Sequence, residues 1–393
     1  MRPLKSWAKQ ALGDPASKLR RRLRTALRIF IGFVAVLLLG ECITRIAMAP
    51  VRGISWYHND PRYGFRHRAD LDQITRVWGK REPWRLRTNS HGFRGSEWPM
   101  KSTGNRVVIA GDAYTFASAV EWDDSFGVVA QMKARERSPK REAAELEIVN
   151  LGVSAWGPQN ALAYIETEGE ALTGECLVYA FFEGNDVIEG YVRKLYEMRD
   201  GQWQRAPVKP IEQTRERDIQ SVARSIPGYD FLLEHSQLFN VIRRGMMLQM
   251  SKGGTKRDIF SDATEEELKE AYSHNVLTLN RMKRVAEERF GSLALMLIPM
   301  RGQIDGSDDR TAVPHSRAIG EESHKRVLAW TEQQRVPVLD LHARFTERVD
   351  EVASYSFAED HHFSVAGNHV IGGWIADELP RLCPKLAFET EGR

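Results

Sequence analysis

The chain has 393 residues, 42% hydrophobic and 28% charged, an ordinary globular composition with room for one large domain and appendages. Its net charge of +3 hides an asymmetry: residues 1–28 hold nine Lys/Arg against one acid, Asp14, so the remainder is mildly acidic. Such a body lacks the basic footprint of a nucleic-acid partner, and that class is excluded.

The basic tail, residues 1–25, runs into an apolar stretch that extends to Met48. The uninterrupted core, Ile29 to Gly40, is short for a membrane span, but continuing through Cys42, Ile43 and Ile46 reaches the roughly 20 residues needed. Glu41 and Arg45, one helical turn apart, can pair at the outer boundary, and Arg28 can snorkel to the inner one. Residues 26–48 are therefore read as an anchor in an inner or plasma membrane, contacting lipid. The positive-inside rule puts the amino terminus in the cytoplasm and the body in the periplasm or outside the cell. Ala47-Met48-Ala49 offers a cleavage site, so a removed signal peptide is the rival. A buried soluble core helix is the plain alternative. The three cysteines, Cys42, Cys176 and Cys383, have no metal-ligand or C-x-x-C spacing. Inert buried thiols are expected, with a Cys176–Cys383 disulfide as the alternative outside the cytoplasm.

Residues 49–104 read as an extended leader rich in Arg, Trp, Pro and Gly. Strands and helices then alternate. A β-branched run over Arg106–Ala110 is a strand buried on both faces. Asp124 can cap a helix to about Arg137. Leu146–Leu151 is the second strand, and Gly157-Pro158 opens a helix to about Ala171. Cys176–Phe182 is the third strand. Thr264-x-x-Glu267 is a capping box for a helix to Phe290. Leu293–Ile298 is the fourth strand, Ser316–Gln334 a helix, Val336–Leu341 the fifth strand, and Val365–Leu379 the last helix. This alternation predicts a parallel sheet covered on both faces. Residues 187–263 break the rhythm after a strand's carboxyl end, where a lid over a site is expected.

Four short pieces fall at the carboxyl ends of these strands, where open α/β sheets bind ligands. They are Gly111-Asp112-Ala113, then Asn150-Leu151-Gly152-Val153-Ser154-Ala155-Trp156-Gly157, then Glu183-Gly184-Asn185-Asp186, and Asp360-His361-His362-Phe363-Ser364-x-x-Gly367-Asn368 before the last helix. In this order they resemble the signature blocks of the SGNH/GDSL hydrolase family, over about residues 105–380. Asn89-Ser90-His91-Gly92-Phe93-Arg94 is similar to a segment that precedes the first block in membrane-anchored relatives, and reads equally as a glycine-rich turn.

The resemblance implies a three-layer α/β/α, flavodoxin-like fold with strand order 2-1-3-4-5. It assigns position 113 to the nucleophile, a Gly152 N–H and the Asn185 amide to the oxyanion hole, His362 to the general base and Asp360 to its orienting acid. Asp112 and Asp186 support them. Glu359 and His361 are the alternative acid and base. Acyl transfer needs these roles on physical grounds alone: a nucleophile, a base within reach, and donors where charge develops. A helix starting near 113 would add its dipole. No metal or other cofactor is expected; a His/Asp metal site lacks a third ligand at supporting spacing.

The departure is at 113, where alanine stands in place of serine. Loss of a triad nucleophile typically removes about 10⁶ in turnover. Tyr114 and Thr115 are expected to point elsewhere, and Ser118 and Ser154 are unsupported substitutes. The intact remaining blocks favour an engineered exchange over a natural pseudoenzyme. The expected function is that of a membrane-anchored serine esterase or O-acyltransferase, inactive as written, acting on acyl esters of envelope glycans or lipids. A membrane-bound O-acyltransferase is a candidate partner, as the family includes proteins of polysaccharide O-acetylation. The competing class is a non-catalytic protein that binds a glycan or such a partner.

Overall fold

A computed structural model describes residues 15–47, 56–75, 83–102, 104–137, 146–207, 226–253, 263–306, 316–356 and 362–386. The chain divides into two compact units, Met1–Ile54 with Asp218–Gly254, and Ser55–Arg217 with Thr255–Arg393.

The larger unit is built on a five-stranded parallel sheet. Its strands are β1 (Arg106–Gly111), β2 (Glu147–Gly152), β3 (Cys176–Phe182), β4 (Leu293–Ile298) and β5 (Val338–Asp340). They lie in the order β5-β4-β3-β1-β2. This is the order that the resemblance implied. Residues alternate across the pleat, and both faces are apolar. On one face Val108, Ala110, Leu151 and Tyr179 pack against Pro158–Glu166 and Glu265–Arg289. On the other Val107, Ile109, Val178 and Ala180 meet Phe126–Arg137 and Val365–Leu382. The fold is thus a three-layer α/β/α sandwich.

Most expected elements stand within a few residues. Thr264 caps its helix as read, accepting from Glu267 N–H while the Glu267 carboxylate accepts from Thr264 N–H. The helix from Pro158 stops at Glu166, not Ala171, because Thr167 and Gly169 N–H groups fold back onto Tyr164 O. Asp124 does not cap a helix; the helix begins at Phe126, and the Asp124 carboxylate meets His369 Nε2 at 2.9 Å. The leader is not featureless. It forms two hairpins, Tyr57–Asp60 with Gly64–His67 and Asp72–Thr75 with Trp84–Arg87.

Cys176 and Cys383 are joined in a disulfide, so the expectation of inert thiols is corrected for that pair; Cys42 is free. The disulfide ties the first residue of β3 to the C-cap of the last helix, 207 residues apart.

The insertion does not behave as one piece. Asp186–Arg193 is a helix of the larger unit, followed by the hairpin Tyr196–Arg199 with Gln202–Arg205. Tyr229–His235 and Gln237–Gly253 are helices of the smaller unit, with the amino-terminal helix Pro15–Ala47. That last helix has one 29-residue segment, Leu19–Ala47, long and apolar enough to cross a membrane, and none of its apolar window is buried. Full exposure argues against a soluble core helix.

Candidate active site

Ala113 follows β1 and is half-buried, while every other residue from Asn105 to Val120 is buried. The backbone around it folds tightly. Asp112 O accepts from Phe116 N–H and Ala113 O from Ser118 N–H. The Asp112 carboxylate accepts from Tyr114 N–H at 2.9 Å. No helix starts here, so the expected dipole at 113 is absent. Ala117 and Ala119 have φ of +57° and +69°, the left-handed region, which ends any helical turn. The first regular helix begins at Phe126.

Arg94, from the leader, accounts for that conformation. Its buried guanidinium donates to Phe116 O, Ala117 O and Val120 O, and lies over the Trp84 ring at 4.5 Å. Burial pulls its pKa down to about 9. Three carbonyls of one turn thus converge on one planar cation. The Asn89–Arg94 segment is therefore more than a turn. Asn89 Oδ1 accepts from His91 and Phe93 N–H, which shapes the loop that delivers Arg94.

The second block closes on the first. Asn150 donates from its amide nitrogen to Thr115 O and accepts at Oδ1 from Gly152 N–H, 2.8 Å away. The Gly152 N–H is thus engaged inside the protein, which corrects its assignment as an available oxyanion donor. Its lack of a side chain matters instead: a Cβ at 152 would lie 2.2 Å from Phe116 N. Two other N–H groups, those of Ala113 and Ala155, make no hydrogen bond among the described residues. Ala155 has φ +65° and is held through its carbonyl by Arg193 Nη2 at 3.1 Å. The second sequence block contains it but gives it no role, since its only signal is its place after the β2 strand.

Asn185 and Asp186 open the helix Asp186–Arg193 beyond β3. Asn185 Oδ1 and Asp186 Oδ1 are buried without a hydrogen-bond partner among the described residues. Asp186 Oδ2 accepts from Tyr179 Oη and Phe182 N–H, each at 3.0 Å. Burial, reinforced by the nearby Asp112 carboxylate, pushes Asp186 well above the usual carboxylate range. Burial also raises Asp112, to about 6, against the attraction of His362. Two buried carboxyls therefore lie within electrostatic reach of each other, with the half-buried His362 close enough to act on Asp112.

His362 is brought to the same place by aromatic packing. The Tyr114 ring lies 5.0 Å from the His362 ring, 4.8 Å from Phe363 and 4.6 Å from Phe182. Tyr114 does not point away, as expected from sequence, but braces the histidine against the turn that carries Ala113. Asn368 fixes the segment from behind: it donates to Phe363 O and Ser364 O and accepts from Phe126 N–H. Asp360, with Glu359 and His361, lies outside the described residues. Of the proposed substitutes, Ser118 is buried and Ser154 is engaged with the Tyr57 hydroxyl.

The arrangement gathers residues 112–114, 185–186 and 362 at one edge of the sheet. It provides a half-open position, an imidazole beside it, and polar groups with unused hydrogen-bonding capacity. Of these groups the free N–H donors are the kind that can hold a negatively charged oxygen, whereas the Asn185 and Asp186 oxygens can only accept from a donor.

No family model matches the chain, and no curated protein matches it. Solved structures do align with it. A lipolytic protein of the G-D-S-L family from Desulfitobacterium hafniense DCB-2 is 11% identical, with a TM-score of 0.38, over 70% of this chain and 99% of that one. Another member of that family, from Veillonella parvula DSM 2008, is 11% identical, with a TM-score of 0.39, over 71% of this chain and 100% of that one. An acetylxylan esterase from Geobacillus stearothermophilus is 14% identical, with a TM-score of 0.40, over 75% of this chain and 100% of that one. At this distance what the site can do follows from its own geometry.

Proposed function

We propose that this protein is a membrane-anchored SGNH-type protein whose site is organised for an acyl ester of an envelope glycan or lipid. In the chain as written a methyl group stands where the attacking hydroxyl belongs. The observation that supports this most is local. Ala113 alone is open within an otherwise buried turn, and the neighbouring Tyr114 packs on His362. A serine at 113 would place its oxygen beside a general base with Asp112 and Asn185 nearby. Asp360 would orient the histidine, and the Asn185 amide with the Ala113 and Ala155 N–H groups would hold the oxyanion. Ester hydrolysis and O-acyl transfer use the same first half-reaction, attack by the serine and release of the alcohol.

The anchor reading rests on the exposed apolar helix and its basic flank. An outward body also agrees with the Cys176–Cys383 disulfide, which persists in oxidising compartments. A membrane-bound O-acyltransferase in the same bilayer would be a suitable acyl donor partner.

A second reading, a non-catalytic binding protein, is favoured by Ala113 itself and by the engaged Gly152 N–H. Nitrophenyl acetate separates the two. Ala113→Ser should gain esterase turnover over the alanine chain. If the folded serine variant stays inert on several acyl esters yet binds an acylated glycan, the binding reading stands.

A further inference from the structure

The smaller unit carries a polar junction inside an apolar neighbourhood. Glu41, near the carboxyl end of the amino-terminal helix Pro15–Ala47, caps the helix Gln237–Gly253. Its Oε1 accepts from Gln237 N–H at 2.9 Å and Arg45 Nε at 2.6 Å. Its Oε2 accepts from Leu238 N–H at 2.9 Å and Ser236 Oγ at 2.8 Å. Arg45 also donates to His235 O, and Gln237 Nε2 to Thr44 O, at 2.6 and 2.8 Å. Gly40 lets the two helices approach: a Cβ there would already lie 3.0 Å from Leu238 Cδ2. A carboxylate at the end of a candidate span is thus fully used at the positive end of another helix.

The helices held at this junction leave apolar side chains uncovered. Phe231 is 63% exposed, Ile242 51% and Met246 61%, and Leu232 is exposed beside Phe231. Ile242 and Met246 are one helical turn apart, hence on one face. The helix Gln237–Gly253 contains Arg243, Arg244 and Lys252 and no acidic residue. A basic, amphipathic helix with an uncovered apolar face suits a lipid surface. Its amino-terminal end is fixed to the span at Gly40–Arg45, where the span's own Leu38, Leu39 and Ile43 are also uncovered. The two apolar surfaces meet at that junction.

We propose that the hairpin Tyr229–Gly253 lies in the lipid interface beside the span, as a second membrane contact fixed by Glu41. This rests on the proposed anchor. It means that part of the segment expected to be a lid is a membrane element.

The test uses the full chain in phosphatidylethanolamine/phosphatidylglycerol nanodiscs, in a Cys42→Ala background that leaves the disulfide intact. Nitroxides at Phe231→Cys, Ile242→Cys and Met246→Cys are compared with one at Leu38→Cys, within the span. Accessibility is measured to oxygen, which partitions into lipid, and to a water-soluble nickel chelate. The expected result is oxygen-dominated accessibility at the hairpin positions, as at Leu38. Chelate-dominated accessibility at the hairpin with Leu38 in lipid overturns the proposal in favour of water exposure. Low accessibility to both overturns it in favour of a protein contact. A chelate-accessible Leu38 removes the anchor, and the hairpin's lipid contact with it. Glu41→Gln should raise chelate accessibility at Ile242 while leaving Leu38 unchanged; no shift at Ile242 would remove Glu41 from its assigned role.

Discussion

Two histidines stand near the carboxyl edge of the same sheet, and their surroundings differ in how fully the neighbouring polar atoms are used. His324 Nδ1 meets the buried Glu183 at 2.7 Å, and Gln303 Nε2 donates to the other Glu183 oxygen at 2.8 Å. Asp340 lies 3.7 Å from His324 Nε2 and caps the next helix through Ala343 N–H. Every strong group in that cluster has a partner. Near Asp112 and His362, by contrast, Asn185 Oδ1 and Asp186 Oδ1 are buried without one, and the Ala113 N–H makes no hydrogen bond, among the described residues. Buried polar atoms are normally satisfied, so a saturated cluster is explained by the fold, whereas a group of unused ones calls for a ligand. This contrast supports the proposal that His362, and not His324, serves the site.

The largest expected effect inverts the two histidines in activity. In an Ala113→Ser background, His362→Ala should remove the gained turnover, by as much as about 10⁶. His324→Gln in the same background should leave kcat within a few-fold. Steady-state kinetics on nitrophenyl acetate decides it, and the reverse pattern would move the site to the other cluster.

Stability should show the opposite ranking. His324→Ala strands the buried Glu183 carboxylate, and breaking such a pair typically costs about 3–5 kcal/mol. His362→Ala should change the unfolding midpoint little. The sign with pH follows from the Glu183 bond, which raises the His324 pKa above its ordinary value. Its stabilisation is fully present below the ordinary histidine range and is lost as pH rises through the raised value. Denaturant unfolding of wild type and His324→Gln should therefore converge on the alkaline side.

A smaller effect is expected at Arg94. Arg94→Met leaves the carbonyls of Phe116, Ala117 and Val120 without their donor, at about 1–3 kcal/mol for a group left buried and unsatisfied. Amide exchange over residues 113–120 should quicken more than exchange in β1. Uniform quickening would show that Arg94 supports the whole unit and not that turn.

The smallest effect concerns Asp186. Burial and Asp112 push it well above the usual carboxylate range and so favour its neutral form; Asp186→Asn, with its amide oxygen in the same hydrogen bonds, should alter stability by less than about 1 kcal/mol at neutral pH. A marked stabilisation would mean that Asp186 is charged in the native protein. Asp112, raised to about 6, has the opposite sense to an ion-paired carboxylate. Its contribution is most favourable at acid pH and declines as pH rises through about 6.

What was legible in the sequence was what local pattern determines. The runs Val107–Ala110 and Leu293–Ile298 are apolar on both faces, so they read as central strands. The Thr264–Glu267 box marks its helix because both partners lie within one turn. The turn after Ala113 was misread because alanines favour helix, while Arg94, more than 20 residues upstream, holds two of them left-handed. The leader hairpins escaped because four-residue strands such as Trp84-Arg85-Leu86-Arg87 are too short for a periodicity to register, although Trp84 and Leu86 are buried and the arginines exposed. The Cys176–Cys383 bond stood only as an alternative and the Glu41 junction not at all, because each spans about 200 residues, a distance over which spacing carries no information. The four blocks could be found because each follows a strand, but the engaged state of the Gly152 N–H and the brace from Tyr114 depend on side-chain placement that no local pattern encodes.

The central claim is that position 113 lies in an otherwise prepared acyl-ester site. The most direct measurement treats the folded Ala113→Ser protein with a fluorophosphonate and maps the adduct by peptide mass spectrometry. The account predicts one adduct, on residue 113, absent from the chain as written and lost with His362→Ala. An intact Ala113→Ser protein that stays unlabelled at 113, or carries the adduct at Ser118 or Ser154 regardless of His362, would contradict it.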